Sequence, residues 1–93
     1  MVRSYELMVI INPTIEDHSV EVKAIEEIIA KNGGEVTKTN VMGKRRLAYE
    51  IKKLNEGIYA TFEFKAEPNT LAELSRVLGL RPTVLRYLNI LVD

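Results

Sequence analysis

An α+β fold with the order strand–helix–strand–strand–helix–strand is predicted by three observations. Four stretches read as strands, with a period of two in the first, in the third and from Leu47 in the second. Two others repeat apolar residues at helical spacing, and Pro and Gly punctuate the joins. This βαββαβ order is the split-βαβ, or ferredoxin-like, pattern. Right-handed crossovers then put both helices on one face of a four-stranded antiparallel sheet. The first and third strands lie in the centre, with the fourth beside the first and the second beside the third.

The first strand runs from Arg3 to Ile11, with Tyr5, Leu7, Val9 and Ile11 on one face and Glu6, Met8 and Ile10 on the other. Asn12-Pro13 ends it, because proline has no N–H for a sheet ladder. Thr14 or Asp17 can cap the helix that follows. There Val22, Ile25, Ile28 and Ile29 recur at helical spacing, and early acidic residues favour the positive end of the helix dipole. Lys31 sits in the last turn, and Gly33-Gly34 supplies the stop.

The second strand spans Glu35 to Lys53, too long to be regular throughout, and Gly43 is the natural place for a bulge or bend. Asn55-Glu56-Gly57 reads as the hairpin turn. In the third strand Ile58, Ala60, Phe62 and Phe64 alternate with Tyr59, Thr61, Glu63 and Lys65, until Pro68 breaks it. Thr70 and Glu73 have capping-box spacing, and Leu71, Leu74, Val77 and Leu78 line a second helix. Gly79 closes that helix, Arg81-Pro82 turns the chain, and Val84 to Val92 is the last strand.

The 93 residues are read as one domain, 1–93, which can bury about 60–68% of its unfolded surface without staples. Cysteine is absent, which excludes disulfides, thiolate metal sites and Cys nucleophiles. There is no apolar run of about 18 residues and no cleavable leader pattern, so no membrane is expected and the expected location is the cytoplasm. The formal net charge of zero argues against a free-standing nucleic-acid binder, but it hides an asymmetry. Residues 16–27 carry Glu16, Asp17, Glu21, Glu26 and Glu27 against Lys23, whereas residues 36–53 carry six Lys or Arg against Glu50.

Catalytic and metal chemistry find no support. His18 is the single histidine, with no second His or Cys to share a metal. Gly43-Lys44 fails as a phosphate loop, which needs Gly where Lys38 stands and Ser or Thr where Arg45 stands. Ser4, Ser19 and Ser75 lack a nucleophile elbow, and the carboxylate pairs Glu16/Asp17 and Glu26/Glu27 fall on a solvated helix face. No enzyme, metal or cofactor is expected. The RNA-recognition motif shares this topology and stacks bases on third-strand aromatics. Here alternation turns Phe62 and Phe64 into the core and leaves Tyr59 alone on the open face, so base stacking on the sheet is not expected.

The most distinctive stretch is Met42 to Lys53, with five basic residues and one acidic residue in twelve positions. From Leu47 it alternates, with Leu47, Tyr49 and Ile51 one way and Arg46, Ala48, Glu50 and Lys52 the other. A cationic strand face suits a phosphate backbone; a solvated edge strand carrying Lys and Arg against unwanted pairing reads the same.

The run Gly43-Lys44-Arg45-Arg46-Leu47-Ala48-Tyr49-Glu50-Ile51-Lys52-Lys53, with Gly57-Ile58-Tyr59 after it, resembles the family of the sixth protein of the bacterial small ribosomal subunit. Arg3-x-Tyr5-Glu6, Asn12-Pro13 and Val84-Leu85-Arg86-Tyr87 resemble that family in order and spacing, so the likeness covers essentially the whole chain. It implies the same fold, no catalysis, and a place on the central domain of small-subunit ribosomal RNA paired with the eighteenth small-subunit protein. By position, the RNA-facing residues it implies are Arg3, Lys44, Arg45, Arg46, Tyr49, Lys52, Lys53 and Arg86. Longer members carry an acidic or mixed tail, and interactions made by such a tail are expected to be missing where this sequence ends at Asp93.

The protein partner is expected on the open face of the sheet. Met8 and Ile10 point there, and the last strand is apolar in both phases: Leu88, Ile90 and Val92 in one, Leu85, Tyr87 and Leu91 in the other. Met8, Ile10, Tyr59, Tyr87 and Leu88 are therefore the docking residues, since an exposed apolar patch usually marks an interface. A small-molecule-sensing regulatory module is the alternative function for this fold, but Asn12-Pro13-Thr14 offers little to a ligand. An acyl-phosphate hydrolase needs an arginine in the first strand-to-helix loop, and residues 12–17 contain none.

Overall fold

A computed structural model describes residues 1–92; the closing Asp93 lies outside the described residues. The elements are β1 (Arg3–Ile11), α1 (His18–Lys31), β2 (Glu35–Ile51), β3 (Leu54–Ala66), α2 (Thr70–Gly79) and β4 (Val84–Leu91). They form one sheet in the order β2-β3-β1-β4, with every neighbouring pair antiparallel. The split-βαβ expectation holds in order, strand placement and direction.

Alternation builds the core. Leu7, Val9 and Ile11 of β1 face the helices with Ala60, Phe62 and Phe64 of β3, all buried, and meet Ile25 and Ile29 of α1 and Leu74 and Leu78 of α2. Tyr5 stacks on Phe64 with ring centroids 5.6 Å apart. Asp17 caps α1 by accepting from the Ser19 backbone N–H at 3.0 Å and from the Ser19 hydroxyl at 2.6 Å. Thr14 instead donates to Asn12 Oδ1. No capping box forms on α2, where Thr70 is the first helical residue and Glu73 pairs with Arg76.

The β2–β3 hairpin differs most from expectation. Its turn is Lys52-Lys53, with φ of +49° and +67°, and Ile51 pairs with Leu54 across it. Strand twist favours a two-residue turn with both φ positive, but Asn and Gly are its usual occupants. Gly57 is not in a turn. It sits inside β3 opposite Arg45, because a Cβ there would lie 2.4 Å from Ile10 Cγ2. Gly43 behaves as expected: Met42 is an extra residue in the ladder, and Gly43 takes φ +86° where a Cβ would touch nothing.

A second, smaller apolar cluster lies on the face opposite the helices. Between the pairs Arg46–Glu56 and Ile51–Leu54, four β2 residues stand against one of β3, so residues 47–50 leave the ladder. Leu47 folds inward and is 8% exposed, and Ile10 beneath it is 5% exposed. The smooth surface of Gly57 lets both side chains settle. Ile10 is therefore not the exposed docking residue that alternation alone implied.

Candidate nucleic-acid and partner interface

Lys44, Arg45, Arg46, Lys52 and Lys53 are all exposed at the free end of the hairpin. Pairing of Lys44 with Ile58, Arg45 with Gly57 and Arg46 with Glu56 sets Arg45 in the open-face phase and its two neighbours in the opposite one. The charge is thus distributed around a finger and not confined to one strand face. Among the described residues, ion pairs join Met1 to Glu67, Arg76 to Glu73 and Arg81 to Glu21, and none involves these five cations.

The excursion at residues 47–50 also places Tyr49 on the open face. Arg86 of β4 lies opposite Ile10 of β1, and its guanidinium carbon sits 5.4 Å from the centre of the Tyr49 ring. The tyrosine stays 58% exposed. Tyr49, Arg86, Tyr59 and Ile10 line one small depression, so strands that are far apart in the chain converge there. Arg3 is elsewhere: it pairs with Ala66, nine β3 residues from Gly57, roughly 30 Å away at the rise of an extended strand.

Met8, Ile10, Arg86, Tyr87 and Leu88 line an adjoining depression of about 400 Å³. Leu88 and Ile90 are 51% and 40% exposed on this face, opposite Met8 and Glu6. Tyr87 is not a side-chain member of the exposed patch: it pairs with Val9, packs against the helix-covered core, and its hydroxyl would meet a Cβ on Gly79 at 3.4 Å. The phase turns on one residue. Val84 faces the core opposite Ile11, Arg86 faces out opposite Ile10, and Leu85 is the extra residue between them. Ile90 shares the phase of Leu88 and joins it on the open face; the pairing register decides between the two apolar phases of the strand.

One carboxylate of helix α1 is neutralised by a cation: Arg81 holds both oxygens of Glu21, at 2.8 and 2.7 Å. Thr39 donates a hydrogen bond to Glu26 and brings no neutralising charge. The Arg81 hydrogen bonds hold the Glu21 carboxyl below the ordinary carboxylate range despite its burial. No group of three or more His, Cys, Asp or Glu able to hold a metal occurs among the described residues, and none of their helices is long and apolar enough to cross a membrane.

The architecture is that of the ferredoxin-like α+β proteins. The C-terminal domain of the MgtC protein from Mycobacterium tuberculosis shares it at 18% identity and TM-score 0.66, covering 99% of this chain and 89% of that one, a likeness of fold alone. Sequence comparison is more specific. The family described as Ribosomal protein S6 matches residues 4–90, and the chain belongs to that family. Small ribosomal subunit protein bS6 of Arthrobacter sp. is 49% identical over 86 residues, covering 90% of this chain and 85% of that protein. Its counterpart in Desulforamulus reducens is 44% identical over 88 residues, covering 92% and 93%. The crystal structure of 30S ribosomal protein S6 from Thermotoga maritima is similar at TM-score 0.87 and 34% identity, covering 99% of this chain and 89% of that one. The family is structural and not enzymatic, and belongs to the small ribosomal subunit in the cytoplasm.

Proposed function

We propose that the chain binds the central domain of small-subunit ribosomal RNA together with the eighteenth small-subunit protein. The observation that carries the RNA half is the finger: five exposed cations, none in an ion pair among the described residues. Cations not already neutralised by carboxylates can displace counterions from phosphate. Arg86 with Tyr49 extends that surface across the sheet, and Arg3 offers a separate contact at the far end.

The protein half rests on Met8, Leu88 and Ile90 with Tyr59 beside them. A sheet face that met only water would carry polar side chains there. Zero net charge gives the isolated chain no long-range pull on RNA, so a basic partner completes the site.

Filter binding of a central-domain RNA, with and without the partner, tests both halves. Tight binding is expected only with the partner. Replacing Arg45 and Arg46 by Ala is expected to weaken binding to related RNAs by similar factors, and to reduce the salt slope by roughly 0.7–0.9 for each phosphate no longer neutralised. Partner-independent tight binding would remove the protein half. A salt slope that stayed fixed would take those arginines off the phosphates.

A further inference from the structure

We propose that Tyr49, braced by Arg86, is a stacking platform for one unpaired nucleobase of the bound RNA; this rests on the RNA-binding function proposed above. Alternation in sequence put Tyr59 alone on the open face and argued against base stacking there. The excursion at residues 47–50 brings a second tyrosine to that face. Four features make it suited to a base.

The ring is presented, not tucked in, since Tyr49 keeps 58% of its surface exposed. It is pre-positioned, because Leu47 anchors the same short segment against Ile10 and because Arg86 lies over the ring at 5.4 Å. Arg86 holds the ring by a cation–π contact, and an exposed tyrosine ring offers a base a π-surface on which to stack. Charge lies on the same face, with Arg45 in the open-face phase and Arg86 at the ring, so a phosphate beside a splayed nucleotide would meet a cation. A paired base cannot use the platform, because its faces are occupied by neighbours in the duplex.

The test uses the chain in complex with its protein partner and two RNAs of equal length, one a continuous duplex and one with a single unpaired nucleotide. The unpaired nucleotide is 2-aminopurine, whose fluorescence falls when it stacks. Tyr49→Leu is expected to lower affinity for the interrupted RNA by roughly 5- to 150-fold, the range for removal of one base–aromatic stack. Binding to the continuous duplex and the salt slope should stay unchanged, because stacking displaces no counterions. Tyr49→Phe should retain both affinity and quenching, and Arg86→Leu should reduce quenching. Equal losses of Tyr49→Leu on both RNAs, or persistent quenching, would overturn the platform while leaving RNA binding intact. Loss of partner binding with RNA affinity unchanged would assign Tyr49 to the protein interface instead. Failure of the unaltered complex to bind either RNA would remove the RNA-binding function itself.

Discussion

Arg81, in the turn between α2 and β4, grips both carboxylate oxygens of Glu21 on α1, sixty residues earlier in the chain. The Glu21 side chain is 7% exposed and that of Arg81 33%. The pair ties the start of the first helix to the entry of the last strand, and it makes stability depend on pH. A carboxyl whose folded pKa lies below its ordinary value, near 4.5, contributes stability above that value and loses it as pH falls through the folded pKa. Arg81→Met is expected to cost about 3 kcal/mol near neutral pH, because it leaves a buried carboxylate unpaired. The difference should begin to shrink as the unpaired Glu21 of the variant, its pKa raised by burial, protonates, and should vanish as pH falls through the depressed folded pKa of the parent. Urea unfolding across a pH series checks this; a gap that stayed constant would mean the guanidinium contributes only packing.

Ile10 lies under Leu47 and against Gly57, so the open face has a structural part and an interaction part. Gly57→Ala would push a methyl group to 2.4 Å from Ile10 Cγ2, and a displacement of this kind costs about 1–3 kcal/mol. Ile10→Lys should cost at least as much as truncating a buried isoleucine, about 2–5 kcal/mol. Met8→Glu, at a half-buried position, should cost clearly less than Ile10→Lys. Denaturant midpoints for the three variants give the ranking, and an Ile10→Lys protein as stable as the parent would dissolve the second cluster.

Docking of the partner should depend on the exposed part. Met8→Glu combined with Leu88→Lys is expected to leave unfolding cooperative and to abolish pairing with the eighteenth small-subunit protein. Calorimetric titration of the double variant reads this directly. Full-strength pairing would move the docking surface off the open face, with the edge of β2 the next place to test.

The Lys52-Lys53 turn trades stability for charge. Left-handed backbone costs a non-glycine residue about 1–2 kcal/mol. Replacing the pair with Asn-Gly, the usual occupants of such a turn, should therefore raise stability by roughly that order. The same change removes two cations from the finger, so RNA affinity should fall and the salt slope flatten. Stabilisation with RNA binding and salt slope unaltered would show that these lysines touch no phosphate.

The sequence by itself determined the six elements, their order, the strand arrangement and the helix-covered core. A period of two in β1 and β3 and helical spacing in α1 and α2 give each element one continuous apolar side for the helix-covered core, and the crossover rule does the rest. It also picked out the basic run, because charge density is a local property. Tertiary structure alone decided the details that shape the surface. In β4, apolar in both phases, the single extra residue Leu85 sends Arg86 and Leu88 outward and Tyr87 inward. The hairpin turn fell at Lys52-Lys53 and not at Asn55-Glu56-Gly57, because Gly57 answers to the space that Ile10 needs across the sheet. Tyr49 came to lie beside Arg86 through four residues that left the ladder. Each of these is a matter of register, and register is set by the side chains of a neighbouring strand. A stretch of sequence carries its own periodicity, but not the neighbour that decides how it is read.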